Sequence, residues 1–139
     1  MLAWIIVIAL LALLAYPRIA PINAARWHTQ APGEQMGETA GANSVIWRSA
    51  SDVDKLSQLD RIIRQTPRTK VIAGSVAEGQ ITYVTRTATM GYPDFTTIGV
   101  YGENPRYLEV YGRARFGSSD FGVNAKRIAD WRAQLEAGR

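Results

Sequence analysis

The fold of this chain is decided by the stretch Tyr107–Ala137, which reads YLEVYGRARFGSSDFGVNAKRIADWRAQLEA. Apolar and polar residues alternate from Tyr107 to Phe116, which is the period of a strand with one buried face. A tight polar turn follows at 117–122, and Asn124 has the chemistry of a helix N-cap. The predicted helix carries its apolar residues on one face, at Ile128, Trp131 and Leu135. The stretch therefore predicts a strand, a sharp turn and an amphipathic helix.

Upstream of this stretch, the sequence predicts one more helix and several strands. The helix begins at Ser51, has Asp52 and Asp54 in its first turn, and is stopped by Pro67. Residues with high β-propensity predict an edge strand at 44–48 and further strands at 69–75, 80–87 and 95–101. Because short loops join the strands, we expect an antiparallel sheet. The predicted fold class is α+β, an antiparallel sheet of four to five strands covered by two helices on one face.

The N-terminus carries an uncharged apolar run, LAWIIVIALLALLAY, from Leu2 to Tyr16. A helix of this length extends roughly 22 Å, against a hydrocarbon core of about 30 Å. Trp4 and Tyr16 stand where interfacial aromatic residues belong, and Arg18 can extend its charge toward the headgroups. We therefore expect residues 1–17 to form a single transmembrane anchor.

Two other interpretations of the apolar run remain open. A cleaved signal peptide usually has a basic n-region and a small-x-small cleavage site, but only the terminal amine precedes this run, and Leu13 stands two residues before Ala15. A buried core helix usually has a polar face, which this run lacks. Arg18 and Arg26, which follow the run, slightly favour a cytoplasmic location for the rest of the chain.

Residues 18–43 have no periodicity and are interrupted by prolines and glycines. This composition predicts an extended linker that lies over the domain or the membrane surface. Within it, we expect Trp27 at the headgroup level or against the domain, with His28 solvated beside it. The soluble domain is then expected at residues 44–139.

The composition excludes several classes of site. The chain has no cysteine and one histidine, so thiol chemistry and disulfides are excluded, and a histidine metal site or triad is not expected. The formal net charge of +4 is too small to indicate a nucleic-acid partner without a clustered patch. The glycines at 112, 117 and 122 lack the spacing of a dinucleotide-binding loop. We expect no cofactor and no metal.

The densest polar group lies around the turn and consists of Arg113, Arg115, Ser118, Ser119, Asp120, Asn124 and Arg127. One interpretation is an anion site, because arginines leave one face of the sheet near the free amides of a helix N-terminus. The other is structural, with Asp120 bonding amides that the turn leaves free and pairing with an arginine. We favour the structural interpretation. A catalytic carboxylate pair of Asp120 with Asp94 or Glu109 is conceivable, but no spacing brings these residues together.

The turn resembles the C-terminal signature of the domain of unknown function 1499 family (DUF1499), whose core is Ser-Asp-x-Gly-x-Asn. The resemblance rests on Arg113, Gly117, Ser119, Asp120, Gly122, Asn124 and Arg127. Upstream, 83–87 and 91–95 resemble the family's middle strand and the Gly-aromatic-x-Asp loop after it. The resemblance covers residues 45–135. Many members carry a segment with cysteines that this chain lacks, so no role of those cysteines can be transferred.

The resemblance implies an exported or membrane-anchored bacterial protein and supplies no catalytic residues. We therefore expect a single-pass protein of the bacterial inner membrane with a periplasmic domain. The expected function is a non-enzymatic accessory or structural protein in the lipid bilayer, a small subunit beside a larger integral membrane complex. The alternative is a binding module for an anionic ligand or lipid headgroup at the arginine-rich strand, turn and helix. A third is a hydrolase that uses Asp120 or Asp94.

Overall fold

The computed structural model describes residues 1–50 and 53–138. In chain order, its elements are α1 (Leu2–Ile19), α2 (Ala24–Trp27), β1 (Gly37–Ala40), β2 (Ser44–Ala50), α3 (Val53–Arg64), β3 (Thr69–Ser75), β4 (Gln80–Arg86), β5 (Pro93–Tyr101), β6 (Tyr107–Ala114) and α4 (Val123–Glu136). The stretch that decides the fold supplies β6 and α4, with the predicted turn between them.

The six strands form one antiparallel sheet in the order β1-β2-β6-β5-β4-β3. The α+β class is confirmed, but the sheet has one strand more than the four to five expected. The extra strand, β1, has the sequence GETA, in which Thr39 is the one residue with high β-propensity, and all four residues are exposed, so no alternating pattern marks the strand. It pairs with β2, which is therefore an internal strand and not the predicted edge strand.

Helices α3 and α4 cover the same face of the sheet, as predicted. Leu56, Leu59 and Ile63 of α3 are fully buried there. The other members of this core include Val45, Trp47, Ile81, Tyr83, Ile98, Leu108, Val110, Ile128, Trp131 and Leu135. Burial of each large apolar side chain stabilises the fold by roughly 1.5–3 kcal/mol. This face is the hydrophobic core of the domain.

The two helices begin differently from the expectation. α4 begins at Val123, after Gly122 with a left-handed φ of 77°. Asn124 is a buried residue of the first turn and not the N-cap, because Asp120 already accepts from the free amides there. The predicted start of α3 at Ser51 and Asp52 lies outside the described residues.

Helix α1 runs continuously for 18 residues. It is long and apolar enough to cross a membrane, with a mean hydropathy of 2.2, and a signal sequence near the N-terminus would have the same properties. Only 6% of the helix is buried, which does not fit the alternative of a buried core helix.

The sheet face opposite the helices is also covered. Residues 20–35, which we call the covering segment, lie across it, with the Trp27 ring stacked on Phe95 at 4.1 Å between centroids. Ala31 of this segment is 6% exposed. Residues 18–43, predicted as an extended linker, thus contain α2, the covering segment and β1. The polar residues of β6 consequently face a packed layer of protein, where the alternating pattern had predicted solvent.

Candidate functional site

The predicted polar cluster is divided between the two faces of the sheet. Arg113 and Arg115 lie on the side of the covering segment, where both donate hydrogen bonds to its backbone. Asp120, Asn124 and Arg127 lie around the first turn of α4 and bond one another. The structure therefore does not bring the predicted residues into one site.

Arg113 is buried, and its guanidinium is occupied by protein acceptors. It donates to Thr97 Oγ1 and to the carbonyl oxygen of Tyr111, both at 2.9 Å, and to the carbonyl oxygen of Trp27. It also lies 4.1 Å from the centroid of the Tyr111 ring. Burial lowers the pKa of Arg113 to about 10. Arg115 donates to the carbonyl oxygen of Pro21 at 2.7 Å. Both arginines hold the covering segment against the sheet.

Asp120 acts as the cap of α4. Its Oδ1 accepts from the amide of Gly122 at 2.9 Å, and its Oδ2 accepts from the amide and the side-chain nitrogen of Asn124 at 3.1 and 2.9 Å. Ser119 Oγ accepts from the amide of Phe121 at 3.1 Å. Free amides at a helix start need acceptors, and these two side chains provide them. The arginine partner that we expected for Asp120 is absent from the described residues, where Arg127 pairs with Asp94.

Arg127 joins α4 to the start of β5. Its Nη1 donates to Asp94 Oδ2 at 3.1 Å and to Asn124 Oδ1 at 3.0 Å. Burial raises the pKa of the Asp94 carboxyl, and the adjacent Arg127 partly offsets that rise. Asp94 is thus a paired structural carboxyl, and the hydrolase hypothesis gains no free nucleophile or base from it.

A buried ion pair beneath the covering segment was not predicted from the sequence. Arg48 Nε donates to Glu109 Oε2 at 2.7 Å, and both side chains are 1% exposed. Glu109 Oε1 accepts from the amide of Ala31 at 2.8 Å. Arg48 donates to the carbonyl oxygens of Pro32 and Gln35, both at 3.0 Å. A charged residue at mid-strand in both β2 and β6 is the sequence signal, but only the strand register places the two opposite each other.

His28 is half-buried instead of solvated. Its Nδ1 lies 2.8 Å from Thr82 Oγ1, which in turn lies 2.8 Å from Thr97 Oγ1. Since Thr97 Oγ1 contacts both Trp27 and Arg113, the histidine belongs to the polar layer under the covering segment. Among the described residues, no group of three or more metal-ligating side chains could hold an ion.

A groove of about 660 Å³ opens where α1 meets β3 and β4. We call it the basic groove because Arg18, Arg68, Lys70 and Arg86 line it. Its apolar lining comes from Ile22, Val71, Ile72 and Val84. No sequence pattern predicts this site, because its cations come from α1, from the turn before β3 and from two separate strands.

The same end of the domain carries an exposed group of aromatic residues. Tyr16, near the end of α1, contacts Phe116 edge to face at 5.9 Å between centroids, and the Tyr92 ring lies 6.1 Å from the centroid of Phe116. Phe121 is 93% exposed and lines the same depression as Phe116. Aromatic rings are enriched at the interface between membrane and water. Of the predicted anchor residues, Trp4 is 72% and Tyr16 50% exposed, and Arg18 donates to the carbonyl oxygen of Thr89 at 2.7 Å.

A family model described as a protein of unknown function (DUF1499) matches residues 11–135. The match begins within α1 and includes the covering segment and β1, so it extends further toward the N-terminus than the resemblance at 45–135. No curated protein matches the chain.

Proposed function

Since the chain belongs to the DUF1499 family of proteins of unknown function, we propose that it is a membrane-anchored, non-enzymatic accessory protein. Its apolar helix α1 stays in the mature protein and crosses the bilayer once. Its α+β domain lies directly on the membrane surface, beside a larger integral membrane protein that it contacts. The location is the bacterial inner membrane, with the domain in the periplasm.

One observation carries this proposal: α1 is joined to the domain by residues that contact the domain, and not by a flexible linker. The carbonyl oxygen of Pro17 accepts from Arg86 Nη1 at 3.0 Å, and Arg18 Nη2 donates to Thr89 at 2.7 Å. The covering segment then continues directly onto the sheet. A domain joined to its anchor in this way has a fixed position at the membrane surface, which suits a subunit that contacts a neighbour in the same membrane.

The state of the polar side chains supports a non-enzymatic role. Glu109 and Asp94 are paired with arginines, and Asp60 accepts from Tyr83 and Arg64. Catalytic acids and bases need a proton path to a substrate in a cleft. These three carboxylates instead accept hydrogen bonds from donors of the fold itself.

Co-purification tests the proposal directly. We would extract the full chain with a mild detergent through a C-terminal tag and identify what accompanies it. We expect a larger integral membrane protein in fixed stoichiometry, with the tagged chain retaining residues 1–19 by intact mass. A monomer without a protein partner would contradict the accessory role, and a mass that lacks α1 would contradict the anchor.

Thiol labelling tests the periplasmic location, because the native chain has no cysteine. Glu103→Cys would place one thiol on the exposed hairpin between β5 and β6. We expect a membrane-impermeant maleimide to label it in intact spheroplasts. Labelling only after the membrane is broken would show that the domain is cytoplasmic.

The alternative, an anion-binding module at the strand, turn and helix, has less support. It requires free guanidinium groups, whereas Arg113 and Arg115 already donate to the covering segment and Arg127 to Asp94. The hydrolase hypothesis has the least support, since Asp120 is engaged with the amides of Gly122 and Asn124.

A further inference from the structure

We propose that the basic groove binds the phosphate headgroup of an anionic phospholipid. This inference rests on the proposed membrane anchoring of α1 and assigns a ligand to a site away from the arginine-rich turn. The ligand chemistry is a phosphate that carries a glycerol backbone and the first carbons of an acyl chain.

The charge of the groove is not compensated by the protein. Among the residues that the structure describes, none of its four cations forms an ion pair. Arg18, Arg68 and Arg86 donate to backbone carbonyls. Lys70 is exposed on β3, and its side chain forms no hydrogen bond to another described residue. Clustered cations without carboxylates repel one another, and a bound anion relieves that repulsion.

The position of the groove corresponds to the headgroup layer. Arg18 stands in the last turn of α1 and is the one charged residue of that helix. If α1 crosses the bilayer, its apolar residues end beside the groove, and the phosphates of the adjacent leaflet lie at the level of Arg18. The exposed Phe121 and Tyr92 at the same end of the domain agree with this depth.

The remaining lining fits a lipid better than a free anion. Ile22, Ile72 and Val84 give the groove an apolar wall. A site for inorganic phosphate alone gains nothing from such a wall, whereas the glycerol and upper acyl carbons of a phospholipid can pack on it. A volume of about 660 Å³ also exceeds what one phosphate fills.

Native mass spectrometry of the full chain tests the proposal. The protein would be released from detergent micelles that contain equal amounts of phosphatidylglycerol and phosphatidylcholine. We expect bound phosphatidylglycerol in preference, and Lys70→Gln should reduce that preference about fivefold, since one cation near an anionic lipid contributes on that order. Arg106→Gln is the matched control, because Arg106 is also exposed but lies in the hairpin at the opposite end of the sheet. That variant should bind as the wild type does.

A second arm separates a lipid from a free anion. Inorganic phosphate is added, with chloride at equal ionic strength as the control. Equal effects of the two salts support the lipid. A loss of phosphatidylglycerol specific to phosphate would overturn the lipid in favour of a small-anion site. The proposal of a lipid site in the basic groove would be wrong if the intact chain showed no lipid preference, or if Lys70→Gln and Arg106→Gln had equal effects. Either result would leave the proposed accessory role intact. A chain that lacks α1 in the same spectrum would overturn both.

Discussion

At the scale of single residues, the buried pair of Arg48 and Glu109 links the sheet to the covering segment. The pair is 1% exposed on both sides, and each partner also bonds the backbone at 31–35. Glu109→Gln would leave the Arg48 charge buried without a counter-charge, which costs about 3–5 kcal/mol. Thermal unfolding of the full chain in detergent would measure the loss.

The matched control for this variant is the exposed pair of Arg132 and Glu38, whose N–O distance is 3.0 Å. Exposed pairs contribute about 0–1 kcal/mol, so Glu38→Gln should melt close to the wild type. If Glu109→Gln and Glu38→Gln lowered the stability of the chain equally, the buried pair would not contribute more to stability than the exposed pair, contrary to our prediction.

Asp120 offers a second residue-scale prediction. Asp120→Ala removes three hydrogen-bond acceptor contacts at the start of α4. We expect a loss of about 1–3 kcal/mol, which corresponds to several degrees in Tm at roughly 4 °C per kcal/mol. Asp120→Asn keeps one accepting oxygen and should cost less. Ser118→Ala on the exposed part of the same turn is the control. If Asp120→Ala melts with the wild type, the residue belongs to a binding surface.

At the scale of elements, the covering segment packs on the sheet as part of the domain. Trp27 is half-buried and stacks on Phe95, and its carbonyl oxygen accepts from Thr97 and Arg113. Trp27→Ala should cost about 2–3 kcal/mol, somewhat below the value for a fully buried tryptophan. Trp4→Ala, a change in the exposed helix α1, should leave the unfolding of the domain unchanged. A Trp27→Ala variant as stable as Trp4→Ala would mean that the segment does not pack on the sheet.

The sequence predicted the elements that have strong local signals and missed this one. The alternation in β6 and the helical spacing of Ile128, Trp131 and Leu135 specify β6 and α4 by themselves. The covering segment has no period because it is held by scattered contacts, such as the Trp27 ring and the amide of Ala31. Its acceptors and donors lie on strands far along the chain. Because no local pattern shows that this segment covers the sheet, the alternation in β6 predicts one solvated face.

The sequence predicted one part of the candidate site, the role of Asp120, and missed the placement of the arginines. Asp120 was identified from its place in a turn before a helix, which is local information. Arg113 and Arg127 lie on opposite faces of the sheet. This placement results from strand register and helix packing, which no local sequence pattern reveals. The basic groove was missed altogether, because only the fold brings Arg18 next to Lys70 and Arg86.

At the scale of the whole molecule, α1 and the domain form one unit through the contacts of Pro17 and Arg18. A free linker of about 26 residues would give a root-mean-square end-to-end distance of about 28 Å with a wide spread. The contacts of Pro17 and Arg18 with the domain, followed by the packed covering segment, remove that freedom. In the accessory role that we propose, α1 would then fix which surface of the domain faces the lipid and which faces a neighbouring protein.

The most direct test of this claim is the distance between spin labels on α1 and on the domain, measured by pulsed electron paramagnetic resonance in nanodiscs. Leu11→Cys and Glu103→Cys supply the two labels, in a chain with no native cysteine. We expect a single narrow distance distribution, no wider than the flexibility of the two labels requires. A broad distribution extending over tens of ångströms, as expected of a flexible tether, would contradict it.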